Sequence, residues 1–300
     1  MTGGRLPLTV VGGYLGAGKT TLINALLADP AGERIAVLVN DFGDIDIDAR
    51  LMDSGDADVI SLTNGCICCS LADGFAEALD RIRDLAGRID RVVIEVSGVG
   101  DPRKVAQWGH VPGFTLDGVV VLVDAETVRE RSRDRYVGET VLAQLAGADL
   151  VVVTRADLLD DTVTSEVERW LADMVAAPVL RAPVPTAVLF GPDPIGDDTL
   201  AVPEDHASTS HISMSRRFDA PVSRGSIDVW ADARPGGVVR AKGIVRVDDR
   251  PDERTVLQVC GATTTVAVDG PWDGGESAVV AIALPGTSRA AIVKWLKLLR

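Results

Sequence analysis

One octapeptide constrains this chain more than any other feature. Gly13-Tyr14-Leu15-Gly16-Ala17-Gly18-Lys19-Thr20 fits the pattern G-x-x-x-x-G-K-[ST]. It stands between the β-branched run Thr9-Val10-Val11 and a stretch from Lys19 to Ala28 with apolar residues at helical spacing. In that strand-loop-helix context the pattern has a mechanism. The glycines let successive amides turn inward, and the helix N-terminus adds partial positive charge, so the loop can cradle phosphates. On this reading Gly13, Gly16, Ala17 and Gly18 line the cradle and Lys19 reaches the β and γ phosphates. Thr20 offers its hydroxyl to Mg²⁺, and Thr21 completes the cofactor-binding set. The competing reading is a glycine turn that only packs strand on helix; motif, context and the following Leu-Ile-Asn-Ala-Leu-Leu run together favour a nucleotide.

The remainder of the first half continues the alternation. Ile35 to Val39, Val92 to Glu95, Val119 to Val123, Leu150 to Val153 and Val179-Leu180 read as buried strands. Asp73 to Ala86, Glu139 to Ala146 and Ser165 to Met174 read as amphipathic helices. This predicts an α/β P-loop NTPase fold with a mostly parallel sheet covered by helices. The Pro-, Gly- and acid-rich text between Pro183 and His211 marks a linker, so the expected organisation is a nucleotide-binding domain over 1–185, a linker over 186–210 and a small α+β domain over 211–300. In that last part Val238 to Val247, Thr255 to Val259, Thr264 to Val268 and Ala278 to Ala283 read as strands. Turns are expected at Asp248 to Glu253 and Asp269 to Gly275, and a closing helix from Ser288 to Leu299.

Charge narrows the partners. Against 30 Lys+Arg stand 44 Asp+Glu, a formal charge of -14, so the molecule repels phosphate backbones and anionic lipid; neither nucleic acid nor membrane is an expected partner. The apolar runs at Val119 to Val123 and Ala278 to Leu284 are too short to span a bilayer, and the N-terminus reads as a first strand rather than a secretion signal. Cytoplasmic residence is the expectation. A reducing compartment also suits the four cysteines, because the cluster Cys66-Ile67-Cys68-Cys69 has no disulfide framework to join.

Further chemistry gathers at strand ends. Glu95 closes the run Val92-Val93-Ile94 and is followed by Ser97, Gly98 and Asp101. An acid there can hold Mg²⁺ or its water, and the Gly98 amide can meet a γ-phosphate. Asp41 stands at another strand end and serves either a metal, the γ-phosphate or a local cap. In Thr154-Arg155-Ala156-Asp157 a carboxylate follows a buried strand. Guanine shows two adjacent donors that one ionised carboxylate accepts together, whereas adenine does not, so Asp157 argues for GTP over ATP; the alternative is a helix or turn cap. The thiols Cys66, Cys68 and Cys69 suit a soft or borderline ion, Zn²⁺, Co²⁺ or Cu⁺ before Mg²⁺, and three thiolates leave a coordination position open for exchange. Structural or redox cysteines are the alternatives. Cys260 and His110, His206 and His211 read as a core residue and as solvated or locally bonded side chains.

Taken together these residues resemble the CobW-type metal-chaperone GTPases of the SIMIBI class. The resemblance runs through GGYLGAGKTTLINALL, VLVNDFGDIDID, NGCICC, IEVSGVGDP, DGVVVLVDA and VRAKG at Val239 to Gly243. It implies GTP hydrolysis coupled to binding of zinc or cobalt at Cys66, Cys68 and Cys69, and delivery to a client metalloprotein or a metal-cofactor biosynthesis enzyme. It also implies phosphate and Mg²⁺ roles for Lys19 and Thr20, second-switch roles for Glu95 and Gly98, and base recognition by Thr154, Arg155 and Asp157. Three departures stand out: Asp41 replaces a common Glu, Arg155 replaces a common Lys, and the linker lacks the histidine-rich tract of many members. A monomer or weak homodimer is expected. The rival expectation is a GTP-dependent assembly or activator protein whose cysteines are structural or redox-active; a small-molecule kinase on the same scaffold would give the cysteines no role.

Overall fold

The computed structural model describes residues 5–30, 32–40, 59–62, 72–85, 87–191, 211–261, 263–272 and 274–300. The chain divides into two compact units that part near residue 190. In the first, seven strands form one sheet: β1 (Leu6–Gly12), β2 (Ile35–Asn40), β3 (Val59–Leu62), β4 (Arg91–Glu95), β5 (Phe114–Asp124), β6 (Leu150–Thr154) and β7 (Val179–Arg181). Their order is β3-β2-β4-β1-β5-β6-β7, and every neighbouring pair is parallel. Strands covered on both faces need continuous apolar runs rather than alternation, and β4 and β6 have them.

Helices close the sheet through residues at helical spacing. Phe75, Leu79 and Ile82 are buried on Ala72–Asp84, and Thr164, Val167 and Leu171 on Asp161–Met174. The strand order places β1 centrally, so the loop after β1 opens between the carboxyl ends of β4 and β5. That is the crevice where open α/β sheets bind ligands.

One charged cluster lies inside this unit. Arg91, at the start of β4, has a side chain 1% exposed and donates to Asp117 Oδ2 at 2.7 Å and to Glu33 Oε1 at 3.1 Å. Thr9 Oγ1 donates to the same Asp117 oxygen at 3.0 Å. Burial alone would lower the arginine's pKa, but the facing carboxylates of Asp117 and Glu33 outweigh it and hold the pKa above its ordinary value.

The second unit is an antiparallel sheet of β8 (Ile212–Phe218), β9 (Val238–Val247), β10 (Arg250–Cys260), β11 (Thr263–Pro271) and β12 (Ser277–Ala283), in the order β11-β10-β9-β12-β8. Helices Arg224–Asp232 and Arg289–Leu296 supply Ile227, Trp230, Ile292 and Trp295 to its core. Ser223 and Ser288 cap them, accepting from Ser226 N–H at 3.2 Å and Ala291 N–H at 3.3 Å. Trp230 and Trp295 stack at 4.7 Å between centroids, and the Trp295 indole N–H donates to the Trp230 carbonyl at 2.6 Å.

Several expectations change. The helix Thr186–Phe190 occupies the start of the segment read as linker, with Val188 and Leu189 buried and Thr186 Oγ1 donating to the Asp29 carbonyl at 3.1 Å. The turn expected over Asp248 to Glu253 shrinks to Asp248-Asp249, because β10 already begins at Arg250 and absorbs the extra residues in an irregular register up to Arg254. Part of the turn expected over Asp269 to Gly275 is likewise strand, since β11 runs to Pro271. The strand β8 and the helices Pro102–Ala106 and Arg224–Asp232 add to the expected elements.

Candidate functional site

The phosphate loop is held from three sides. Gly13, with φ of 134°, sits so close to β5 that an added Cβ would lie 2.4 Å from the Leu122 carbonyl oxygen; only glycine fits there. Gly18 stands at the N-cap of the helix Lys19–Ala28, and Ala17 is buried. Lys19 is 8% exposed, and its ammonium donates to the Gly13 carbonyl at 3.1 Å, so the charge is folded onto the loop it would serve. Thr20 is partly buried on the first helical turn, while Thr21 is exposed and Gly16 faces solvent.

The second side is the segment after β4. Glu95, 2% exposed, ends that strand in register with Val11 of β1, and the Val96 N–H donates to the Val11 carbonyl at 2.9 Å. Gly98 touches the phosphate loop: a Cβ there would stand 2.6 Å from the Leu15 side chain and 2.8 Å from its backbone nitrogen. Ser97 Oγ is buried and finds no hydrogen-bond partner among the described residues. Asp101 caps the short helix Pro102–Ala106 by accepting from Arg103 N–H at 3.0 Å.

The third side is the turn after β6. Thr154 Oγ1 lies 2.9 Å from the Ala17 carbonyl and 3.1 Å from the Val123 carbonyl, linking β5, β6 and the phosphate loop. Arg155, with φ of 54°, is the one non-glycine residue of positive φ among the described residues. Its guanidinium donates to the buried carboxylate of Asp124 at 3.2 Å, and the other oxygen of Asp124 accepts from Glu126 N–H at 2.9 Å. Asp157 lies exposed in the 3-10 turn Ala156–Leu158. The N-cap position of the following helix belongs to Asp160, so Asp157 is not that helix's cap.

The predicted residues Gly13, Ala17, Gly18, Lys19, Glu95, Gly98 and Thr154 thus converge, with Arg155 and Asp157 on the turn beside them. Asp41 and Cys66, Cys68 and Cys69 lie outside the described residues, as does His206. Cys260 is buried on β10, as a core residue should be, and no cluster of metal-ligating side chains occurs among the described residues. Arg240, in the VRAKG run of the second unit, is 1% exposed and faces no solvent. Sequence reasoning missed Asp124, Arg131 and Gln144. Gln144 left a signal, since it occupies an apolar-face position beside Val141 and Leu145.

Donors and acceptors suit a nucleoside triphosphate with Mg²⁺: a glycine-rich loop at a helix N-terminus, a lysine on that loop, the Thr20 hydroxyl and the buried Glu95 carboxylate as oxygens that would hold the ion, and the exposed Asp157 carboxylate beside them. These features define a P-loop nucleotide-binding protein. Residues 7–181 match the family described as CobW/HypB/UreG, nucleotide-binding domain, and residues 212–297 match the cobalamin synthesis protein cobW C-terminal domain; the chain belongs to the CobW/HypB/UreG family. It is 30% identical over 343 aligned positions to the zinc chaperone CobW of Sinorhizobium sp, with 96% of each chain covered. It is 35% identical over 190 positions to the zinc chaperone YjiA of Escherichia coli, covering 60% of this chain and 57% of that one. A zinc-regulated GTPase metalloprotein activator 1 of Schizosaccharomyces pombe is 33% identical over 177 positions, covering 55% and 43%.

Proposed function

We propose that this chain is a GTPase that carries zinc, with cobalt as the competing cargo, and releases it to a client metalloprotein in the cytoplasm under nucleotide control. The observation that carries this reading is the packing of Gly98 on Leu15, which puts a segment able to meet a γ-phosphate directly on the phosphate loop. The names of the related chaperones support zinc as the cargo. Lys19 and the loop amides bind the phosphates, Asp157 selects guanine, and the stem of Arg155, held by Asp124, covers the base. Thr20 and Glu95 supply oxygens to Mg²⁺, which offsets charge on the phosphates during transfer.

Cys66, Cys68 and Cys69 hold the cargo. Between them and the phosphate loop in sequence lies the strand β3, next to β2 at the edge of the same sheet. The segments Asn40 to Asp48 and Ser97 to Asp101 respond to occupation of the γ-phosphate position, and these set the geometry of the thiols. Coupling of this kind is reciprocal, typically about 5- to 150-fold, so metal shifts GTP affinity by the factor by which GTP shifts metal affinity.

The test is competition of zinc and of cobalt against a calibrated chelator, with GDP and with a non-hydrolysable GTP analogue. Wild type is compared with the double variant Cys66→Ser/Cys68→Ser. A tighter metal site in the presence of the analogue, lost in the double variant, is the expected result. Metal affinity indifferent to nucleotide sinks the reading and leaves an assembly GTPase with structural or redox cysteines.

A further inference from the structure

Two helices outside the nucleotide motifs reach into the site. On Val128–Arg131, the Arg131 Nη1 donates to the Leu15 carbonyl at 2.7 Å, and its guanidinium lies over the Tyr14 ring, 5.2 Å from the centroid. On Gly138–Ala146, Gln144 is 2% exposed and turns its amide to the segment after β4. Its Nε2 donates to the carbonyls of Gly98 at 3.1 Å and Gly100 at 2.8 Å. From the opposite side, Arg103 donates to the Ala146 carbonyl. The second helix is thus tied at two points to residues 98–103, and the first to the phosphate loop. Between the two attachments lies the contact of Gly98 with Leu15.

A side-chain amide nitrogen carries two donors, and this geometry uses both. Holding the carbonyls of Gly98 and Gly100 fixes the peptide planes on the carboxyl side of each glycine. Two glycines in three residues would otherwise let this segment sample many conformations. We propose that Gln144 is a positioning residue for nucleotide discrimination: its amide holds the Gly98–Gly100 segment so that the Gly98 N–H is presented to a γ-phosphate. The proposal rests on the reading of Gly98 as the γ-phosphate contact. It requires a donor at position 144 and not merely volume. Methionine matches the length without donors, and glutamate would set a carboxylate against two carbonyl oxygens.

Displacement of a fluorescent GDP from the full chain by GDP and by a non-hydrolysable GTP analogue, together with steady-state hydrolysis, tests it in Gln144→Met, Gln144→Glu and Gly98→Ala. For Gln144→Met the expected result is GDP affinity within about twofold of wild type, with analogue affinity and kcat lower by about tenfold, the scale of one or two lost hydrogen bonds to buried carbonyls. Gln144→Glu should lose more. Equal losses for GDP and the analogue, or unchanged discrimination, overturn the proposal, because a residue that merely fills the core has no preference between the two nucleotides. The Gly98→Ala variant separates the two levels. Its Cβ, 2.6 Å from the Leu15 side chain, must push the segment off the phosphate loop although the amide remains; if the variant still discriminates as wild type does, the γ-phosphate reading of Gly98 fails and the proposal with it. If it loses discrimination while both Gln144 variants keep theirs, the proposal alone fails.

Discussion

Arg155 holds a left-handed backbone conformation, which costs a non-glycine residue about 1–2 kcal/mol. Its ion pair with Asp124 and the double contact of Thr154 hold it there. On the proposed reading the strain sits where a base stacks, and Asp157 reads the base edge. Asp157→Asn replaces an acceptor by a mixed amide, and should lower GTP affinity by about 10²-fold or more while raising that for xanthosine triphosphate, whose C2 carbonyl accepts where guanine donates. Competition binding of the two nucleotides checks this, and unchanged guanine preference would remove Asp157 from base recognition. Much of this site is legible in sequence because a phosphate loop is a local device: eight consecutive residues make it. Asp124 was less legible. Its role depends on the pairing of β5 with β6, which sets Asp124 beside Thr154, and no spacing along the chain announces that register.

At the scale of elements, the buried cluster of Arg91, Asp117, Glu33 and Thr9 joins β4, β5 and β1 through charge rather than apolar packing. Arg91→Leu leaves the buried Asp117 carboxylate without its cation and should cost about 3–5 kcal/mol in denaturant unfolding. The pair Arg91→Leu/Asp117→Leu should recover most of that loss; a double variant as unstable as the single one would show that the cluster is not a coupled unit. Outside, Arg34 donates to Asp90 and holds its carboxyl below the ordinary range. A depressed folded pKa gives stability that is present above the unfolded value, about pH 4, and lost as pH falls through the folded one. The melting temperatures of wild type and Asp90→Asn should therefore differ most above pH 4 and converge below it, with a smaller gap in high salt because both side chains are largely exposed.

The strands of the parallel sheet could be read from their continuous apolar runs. The helix Arg224–Asp232 could not be read as easily, because only Ile227 and Trp230 mark its inner face, and its capping Ser223 looks like any loop serine. Trp230 owes its importance to Trp295, which lies far along the chain and stacks on it. Trp295→Ala removes that stack and a buried donor, and should cost about 3–5 kcal/mol with loss of near-ultraviolet circular dichroism from the second unit. An unaltered spectrum would place the tryptophan signal elsewhere.

At the scale of the molecule, a formal charge of -14 opposes any polyphosphate, so on the proposed reading helix dipole, loop amides and Lys19 must hold the nucleotide at short range. Ligand that binds only the folded state adds stability, about 2.7 kcal/mol at a hundredfold excess over Kd. GDP should therefore slow amide exchange in β1, β4 and β5, the strands that carry the site; exchange in those strands indifferent to GDP would argue against a site at their carboxyl ends.

The central place of β1 also has a consequence during synthesis. Leu6 opens β1, yet its two neighbours open at Arg91 and Phe114. At about 5–20 residues per second, roughly 5 to 20 s pass on the ribosome before both edges of this apolar strand can pair. Nor is the phosphate loop complete meanwhile, since Leu122, against which Gly13 packs, follows Phe114 in the chain. The phosphate loop is thus made early and takes its shape only once β5 has followed it.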